Sequence, residues 1–331
     1  MNPIKYITAL AAVFFLASCG SGNQKTYHHE VGEVFSTHFN IRYEYHRSLR
    51  AEILAEFEKL NNSVNPFREN SIISKVNRNE PVELDSFFVD VFNKAIEVSA
   101  ISGGAFDITV SPLINAWGFG FQNYENVTPE IIDSLRTFVG FEKIRINANG
   151  QIEKDDPRVQ LNMSAIAKGY AADVIANLLR RHGIENFMVE IGGDLVAQGV
   201  RADGRCWRIQ LSEPVLGVMH VKHRNLSICN RAMTTSGNYR NFRIVNGQMV
   251  GHTIDPRTGF PTETNVLSAT VIASTGIIAD AYATAFMVLG IEESRALART
   301  IPGLYYYFIY AQPDGSRGVV YSEGFEQFFT Y

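Results

Sequence analysis

The sequence predicts an α+β fold, and three observations carry that reading. Helix and strand signals are interleaved irregularly, with no repeating βαβ unit. Asn246-Gly247 and Asp314-Gly315 each sit between apolar strand-like runs, which marks antiparallel pairing. Neither G-x-G-x-x-G nor G-x-x-x-x-G-K-[ST] occurs, so a doubly wound nucleotide-binding sheet lacks its fingerprint. Composition agrees with a packed domain: of 331 residues, 46% are hydrophobic and 19% charged, with a net charge of only −4. With 30 Lys+Arg against 34 Asp+Glu, there is no global electrostatic case for binding nucleic acid.

The elements follow in order. Residues 1–18 read as a signal peptide: Lys5 supplies a positive start and Ile7 to Leu16 an apolar stretch too short to span a bilayer comfortably. Leu16-Ala17-Ser18-Cys19 resembles a lipoprotein lipobox, with Cys19 as the lipidated residue; the alternative is an ordinary signal peptide cleaved between Ala17 and Gly22. Residues 19–30 read as a lipidated flexible tether, and 31–331 as the folded domain. Ser48 to Leu60 carries a helical stripe at Ile53, Leu54, Phe57 and Leu60. Thr128-Pro129-Glu130 opens a helix that stops at Gly140. Ser164 to His182 ends at Gly183, and Thr275 to Leu289 ends at Gly290, both fitting residues just past a helix. Strand signals fill the rest. Cys206 and Cys229 lie in strand-like runs and read as two buried thiols, with a disulfide as the alternative in an oxidising compartment.

Several positions are polar or Gly-rich where their elements call for apolar residues. Asp280 and Thr284 are spaced i, i+4, so a helix puts both oxygens on one face among apolar neighbours. Two oxygens with no His or Cys nearby suit Mg²⁺; equally, an Asp near a helix N-terminus is favoured by the dipole and a Thr can bond back one turn. Lys168 stands early in a helix, where it either meets an anion or is a solvated surface residue. His252, three residues before Asp255-Pro256, is placed to act as a general base or is incidental. Glu190-Ile191-Gly192-Gly193-Asp194 reads as a strand followed by close backbone approach, and Thr234-Thr235-Ser236-Gly237 offers hydroxyls to a phosphate or to a turn.

Read together and in order, the motifs resemble the ApbE family of FAD:protein FMN transferases, from about Glu33 to Leu289. They are Ala-Phe-Asp-Ile-Thr-Val from Ala105, Ser-Ala-Ile-Ala-Lys-Gly-Tyr from Ser164, Glu-Ile-Gly-Gly-Asp from Glu190, His-Thr-Ile-Asp-Pro-Arg-Thr-Gly from His252 and Ala-Asp-Ala-Tyr-Ala-Thr-Ala from Ala279. The resemblance implies a duplicated α+β architecture related to the tunnelling fold, with FAD in a cleft and Mg²⁺ at its diphosphate. Asp280 and Thr284 would ligate Mg²⁺ through side-chain oxygens, and Ala165 through its carbonyl. Ala105, Phe106 and Asp107 would line the FAD site; Asn162, Lys168 and Ile254 would touch it, and Phe35 and Phe67 fall near the flavin. His252 would be the base, with Asp255 the second candidate. Two departures stand out: Asn162 where many relatives carry Asp, and Ala283 where some carry an acid.

The implied activity is transfer of FMN from FAD to a Thr or Ser hydroxyl of an exported acceptor protein, releasing AMP. The implied address is the bacterial cell envelope, facing the periplasm and held at the membrane by lipid on Cys19. An Mg²⁺-dependent FAD pyrophosphatase and a non-catalytic flavin-binding lipoprotein are the alternatives.

Overall fold

In the computed structural model the described residues are 26–120, 127–215, 221–238, 242–245 and 248–330. The strands are β1 (Thr26–Val34), β2 (Thr37–Tyr45), β3 (Ile144–Ile146), β4 (Ile152–Lys154), β5 (Phe187–Ile191), β6 (Asp194–Gln198) and β7 (Trp207–Ser212). They continue with β8 (Lys222–Ile228), β9 (Arg231–Gly237), β10 (Phe242–Val245), β11 (Gln248–Gly251), β12 (Val266–Ala273), β13 (Tyr305–Ala311) and β14 (Arg317–Tyr321). The helices are α1 (Arg50–Val64), α2 (Ile72–Asn77), α3 (Ser86–Ile101), α4 (Ser111–Ala116), α5 (Pro129–Arg136), α6 (Ala167–Arg181) and α7 (Gly276–Ala298). The α+β expectation holds.

One antiparallel sheet of eight strands, in the order β1-β2-β5-β6-β9-β12-β13-β14, forms the centre. Its strands alternate between two apolar layers because successive side chains point to opposite faces. On β13, Tyr306 and Phe308 pack toward the helices while Tyr307 and Ile309 pack toward the other face. The helical layer is built on α1, α3, α6 and α7, with Ile53, Phe88, Ile175 and Phe286 fully buried in it. On the far face the β7–β8 pair lays Trp207, Leu211, Leu226 and Ile228 against the sheet, together with Phe325 and Phe328. Burying each such side chain is worth about 1.5–3 kcal/mol.

Three expectations change. Thr26 to Glu30 belong to β1, which pairs with β2 along its length from Thr26↔Tyr45 to Val34↔Thr37, so residues 26–30 are sheet rather than tether. The signal segment and Cys19 lie outside the described residues. Residues 72–77, 86–101 and 111–116 are helical where strands filled the reading. For α3 the cause is plain: the Asp85 side chain accepts from the Phe88 N–H at 2.8 Å, and Phe88, Val91, Phe92, Ala95 and Val98 form a helical stripe. Third, Cys206 and Cys229 are a disulfide, each half-buried. The β7–β8 register sets Trp207 opposite Ile228, so the next residues outward, the two cysteines, face each other with Cα atoms 5.1 Å apart.

Other boundaries shift for local reasons. Thr128 caps α5, accepting from the Ile131 N–H, and Gly183 (φ 70°) follows the C-cap of α6. Gly290 (φ 72°, ψ −173°) is non-helical, so the helix opened at Thr275 stops there as expected, and a second helical run continues across this kink to Ala298. β10 and β11 pair up to Val245↔Gln248, as a two-residue turn requires, although Asn246-Gly247 itself lies outside the described residues. The Asp314-Gly315 connection is longer than two residues, because β13 ends at Ala311 and β14 starts opposite it at Arg317. Among the described residues no helix is long and apolar enough to cross a membrane.

What positions the site is the crossing of α6 and α7 near their N-termini. Asp173 of α6 accepts the Gly276 and Ile277 N–H groups at 2.8 Å each, satisfying two donors that the first turn of α7 leaves open. Asp280 of α7 accepts the Gly169 N–H of α6 at 2.9 Å. Gly169 and Gly276 permit this approach: a Cβ on either would sit 2.2 Å from the other's carbonyl oxygen.

Candidate active site

A cavity of about 520 Å³, within the usual range for ligand sites, opens beside that crossing. α7 contributes Asp280 and Thr284, the segment entering α6 contributes Asn162 and Ala165, and the first turn of α6 contributes Lys168. Ala105, Phe106 and Asp107 come from the loop after α3, and His252 and Ile254 from the segment after β11. Phe35 reaches it from the β1–β2 turn and Phe67, 69% exposed, stands at its rim. Every predicted cavity residue is therefore brought together except Asp255.

The oxygen cluster is built locally. Asn162 Oδ1 accepts the Ser164 N–H at 2.9 Å, a side-chain turn that precedes the Ala165 carbonyl. Thr284 Oγ1 donates to that carbonyl at 3.4 Å. Neighbouring ligands of an octahedral Mg²⁺ stand about 3 Å apart, so these two oxygens are close to that spacing. Asp280 is only 2% exposed. Among the described residues no group of three or more His, Cys, Asp or Glu side chains could hold a metal. The donors present are oxygens with a single carboxylate, a set that fits Mg²⁺ better than a transition metal.

Lys168 is neither a solvated surface residue nor an unpaired cation. Its Nζ lies 2.9 Å from Asp194 Oδ2 and 3.7 Å from Asp280 Oδ2, with the side chain 31% exposed. Burial pulls the ammonium's pKa down, but the charges of Asp194 and then Asp280 outweigh it and raise it above its ordinary value. Burial, and next the charge of Asp194, pushes the Asp280 carboxyl up, against the opposing effect of Lys168.

Asp107 has a different job. Its carboxylate accepts the Thr109 N–H and hydroxyl and the Phe141 N–H, each at 2.7 Å, and so shapes the wall that Ala105 and Phe106 present. Burial, partly offset by those bonds, pushes it up to about 6. His252 is half-buried, with the Phe119 ring edge-on to it at 6.3 Å. Asp255, the second candidate base, stands apart: Arg257 holds both its oxygens at 2.9–3.2 Å, so its carboxylate organises the turn. Phe35 and Ser36 form the β1–β2 turn with φ of 52° and 58°, a left-handed pair that carries strain in a residue as bulky as Phe.

The sequence pattern of the ApbE family matches residues 35–308. The chain belongs to the ApbE family. A relative called FAD:protein FMN transferase in Vibrio cholerae serotype O1 is 34% identical over 304 residues, spanning 88% of this chain and 90% of that protein. A protein of the same name in Escherichia coli K12 is 31% identical over 327 residues, 93% of each chain. Among solved structures, the flavin transferase ApbE from Vibrio cholerae matches with a TM-score of 0.81 at 32% identity, covering 92% of this chain and all of that one.

Beyond the residues the family motifs nominate, the cavity of this ApbE-family chain is also lined by Phe119, Thr235, Ser236 and Gly237. Their segments stand out in the sequence as polar or Gly-rich interruptions, yet no spacing rule assigns them to a cavity. Asp194, the closer partner of Lys168, was legible only as an acid after two glycines.

Proposed function

We propose that this flavin transferase of the ApbE family moves FMN from FAD to a Thr or Ser hydroxyl of an exported acceptor protein, with AMP as the leaving product. The observation that carries the reading is the convergence of Asp280, Thr284 and the Ala165 carbonyl with Lys168 and His252 on one cavity. Asp280, Thr284 and Ala165 would hold Mg²⁺, which when bound supplies charge neutralisation at the diphosphate oxygens.

The chain's own residues do the rest. Lys168, its charge assured by two carboxylates, faces the anionic diphosphate, and Phe35, Phe106 and Phe67 supply apolar surface for the flavin. His252 takes the proton as the acceptor oxygen forms its bond to the FMN-side phosphorus. The bond from that phosphorus to the bridging oxygen breaks, and the electron pair leaves with AMP. The products are a flavin joined to protein through a phosphoester and free AMP. The proposal extends to address: Cys19 carries the lipid that holds the enzyme at the envelope, facing the periplasm.

The test incubates the purified chain with FAD, MgCl₂ and an acceptor protein, then reads the acceptor by mass spectrometry. An FMN adduct with equimolar AMP is expected, and Asp280→Ala should abolish it. FMN and AMP released equally with and without acceptor, and no adduct, would make this chain a pyrophosphatase. Intact-mass analysis of membrane-extracted protein should find the mature chain starting at acylated Cys19; an unlipidated start elsewhere refutes the anchor.

A further inference from the structure

Asp194 begins β6 and is 2% exposed, and the β6–β9 register carries it opposite Thr234, itself buried. Among the described residues neither Asp194 Oδ2 nor Thr234 Oγ1 has an aligned hydrogen bond. The buried carboxylate is instead matched to the Lys168 ammonium at 2.9 Å, while Asp280 stands 0.8 Å further from the same nitrogen, at 3.7 Å. A carboxylate at this depth is costly unless paired, so its presence calls for a reason. Lys168 supplies one. An ammonium beside the single carboxylate of a cation site competes with the cation for it. Asp280 Oδ2 already takes the Gly169 N–H and the longer Lys168 contact, which leaves Oδ1 outside both.

We propose that Asp194 is a positioning residue that holds the Lys168 ammonium away from Asp280, keeping that carboxylate available to a divalent cation while leaving the ammonium at the diphosphate. The inference rests on the metal-site reading above. Without the Asp194 charge, Asp280 becomes the nearest carboxylate to Nζ, and the cation must displace an ion pair to bind. Partners one step behind a metal ligand typically change metal affinity by about 10–100-fold.

The experiment titrates MgCl₂ into the full chain, purified in detergent and free of FAD, by calorimetry. Asp194→Asn should weaken Mg²⁺ binding about 10–100-fold, and adding Lys168→Met should bring it back to within about threefold of the parent. Rescue by deleting the cation is an outcome that a merely structural role for Asp194 does not produce. Asp194→Asn within twofold of the parent overturns the proposal. So does weakening that Lys168→Met fails to reverse, which would make Asp194 a ligand itself. If Asp194→Asn does not fold, Lys168→Met alone decides: it should bind Mg²⁺ at least as tightly as the parent, and weaker binding refutes the competition. A parent that binds no Mg²⁺ overturns this proposal together with the metal site, whereas binding that Asp280→Ala removes and Asp194→Asn leaves intact overturns this proposal alone.

Discussion

Gly169→Ala tests whether the α6–α7 crossing is as tight as its glycines indicate. The new Cβ would stand 2.2 Å from the Gly276 oxygen, 2.6 Å from the Gly276 carbonyl carbon and 2.6 Å from the Asp280 Cβ. None of these is the far end of a flexible side chain. Restoring ordinary contact at about 3.4 Å requires roughly 1.2 Å of separation between the helices. Overpacking of this kind costs about 1–3 kcal/mol, and a hydrogen bond to a charged group contributes about 1.5–3 kcal/mol. The Gly169 N–H to Asp280 bond, now 2.9 Å, would be stretched out of range by the same movement. Better helix propensity returns about 1 kcal/mol. The net expectation is a loss of about 1.5–5 kcal/mol in urea unfolding, with weaker Mg²⁺ binding because Asp280 moves relative to Ala165. A variant within about 0.5 kcal/mol of the parent and with unchanged Mg²⁺ affinity would refute the argument, since the helices would then have slack to spare.

Three further outcomes follow from the same structure. His252→Ala should lower the transfer rate by about 10²–10⁴-fold with little change in FAD affinity, read by single-turnover kinetics and flavin fluorescence; collapse of FAD binding at near-normal rate would make His252 a binding residue. Replacing both Cys206 and Cys229 by Ser opens a link between residues 23 apart in sequence and should cost about 3 kcal/mol in urea unfolding, an effect absent if the reduced and oxidised parents unfold alike. Asp107 ionises near 3.8 when unfolded and at about 6 when folded, so the folded chain binds more protons across that window and stability falls as pH rises through it. The fall attributable to Asp107 is at most about 3 kcal/mol, and Asp107→Asn should flatten the change in urea midpoint between pH 4 and 7; an unchanged pH dependence contradicts the assignment.

Much of the site was legible because it obeys helix periodicity. Asp280 and Thr284 are one turn apart, and the structure turns both toward one cavity. α3 obeys the same rule, with its cap and stripe both present in the sequence. β1 was harder for a physical reason: it is an edge strand whose only fully buried side chains are Glu30 and Val34, so its apolar pattern is too weak to mark where the sheet begins. The disulfide and the Lys168–Asp194 pair depend on strand register and on a helix crossing a sheet, distances in space that local spacing does not encode. Asp255 misled through proximity to His252 in sequence, while the residue that occupies it is Arg257, two positions on.

The two helices beside the proposed cation site, α6 and α7, exchange carboxylates. Asp173 of α6 holds the first turn of α7, and Asp280 of α7 holds Gly169 in the first turn of α6. Between these contacts the backbones touch with no side chain to absorb movement. Sliding one helix along the other by even a fraction of a turn would break three charge-assisted bonds at once, each worth about 1.5–3 kcal/mol. Asp280 therefore performs two tasks with one carboxyl group: one oxygen fixes the helix crossing, and the other is left outside those contacts. The loop that offers the Ala165 carbonyl leads directly into α6, so fixing the crossing also fixes that carbonyl against Thr284. On the proposed reading, a cation site assembled this way would be ordered before the cation arrives, and the binding energy of metal and diphosphate would act on the reacting phosphate instead of on folding the site.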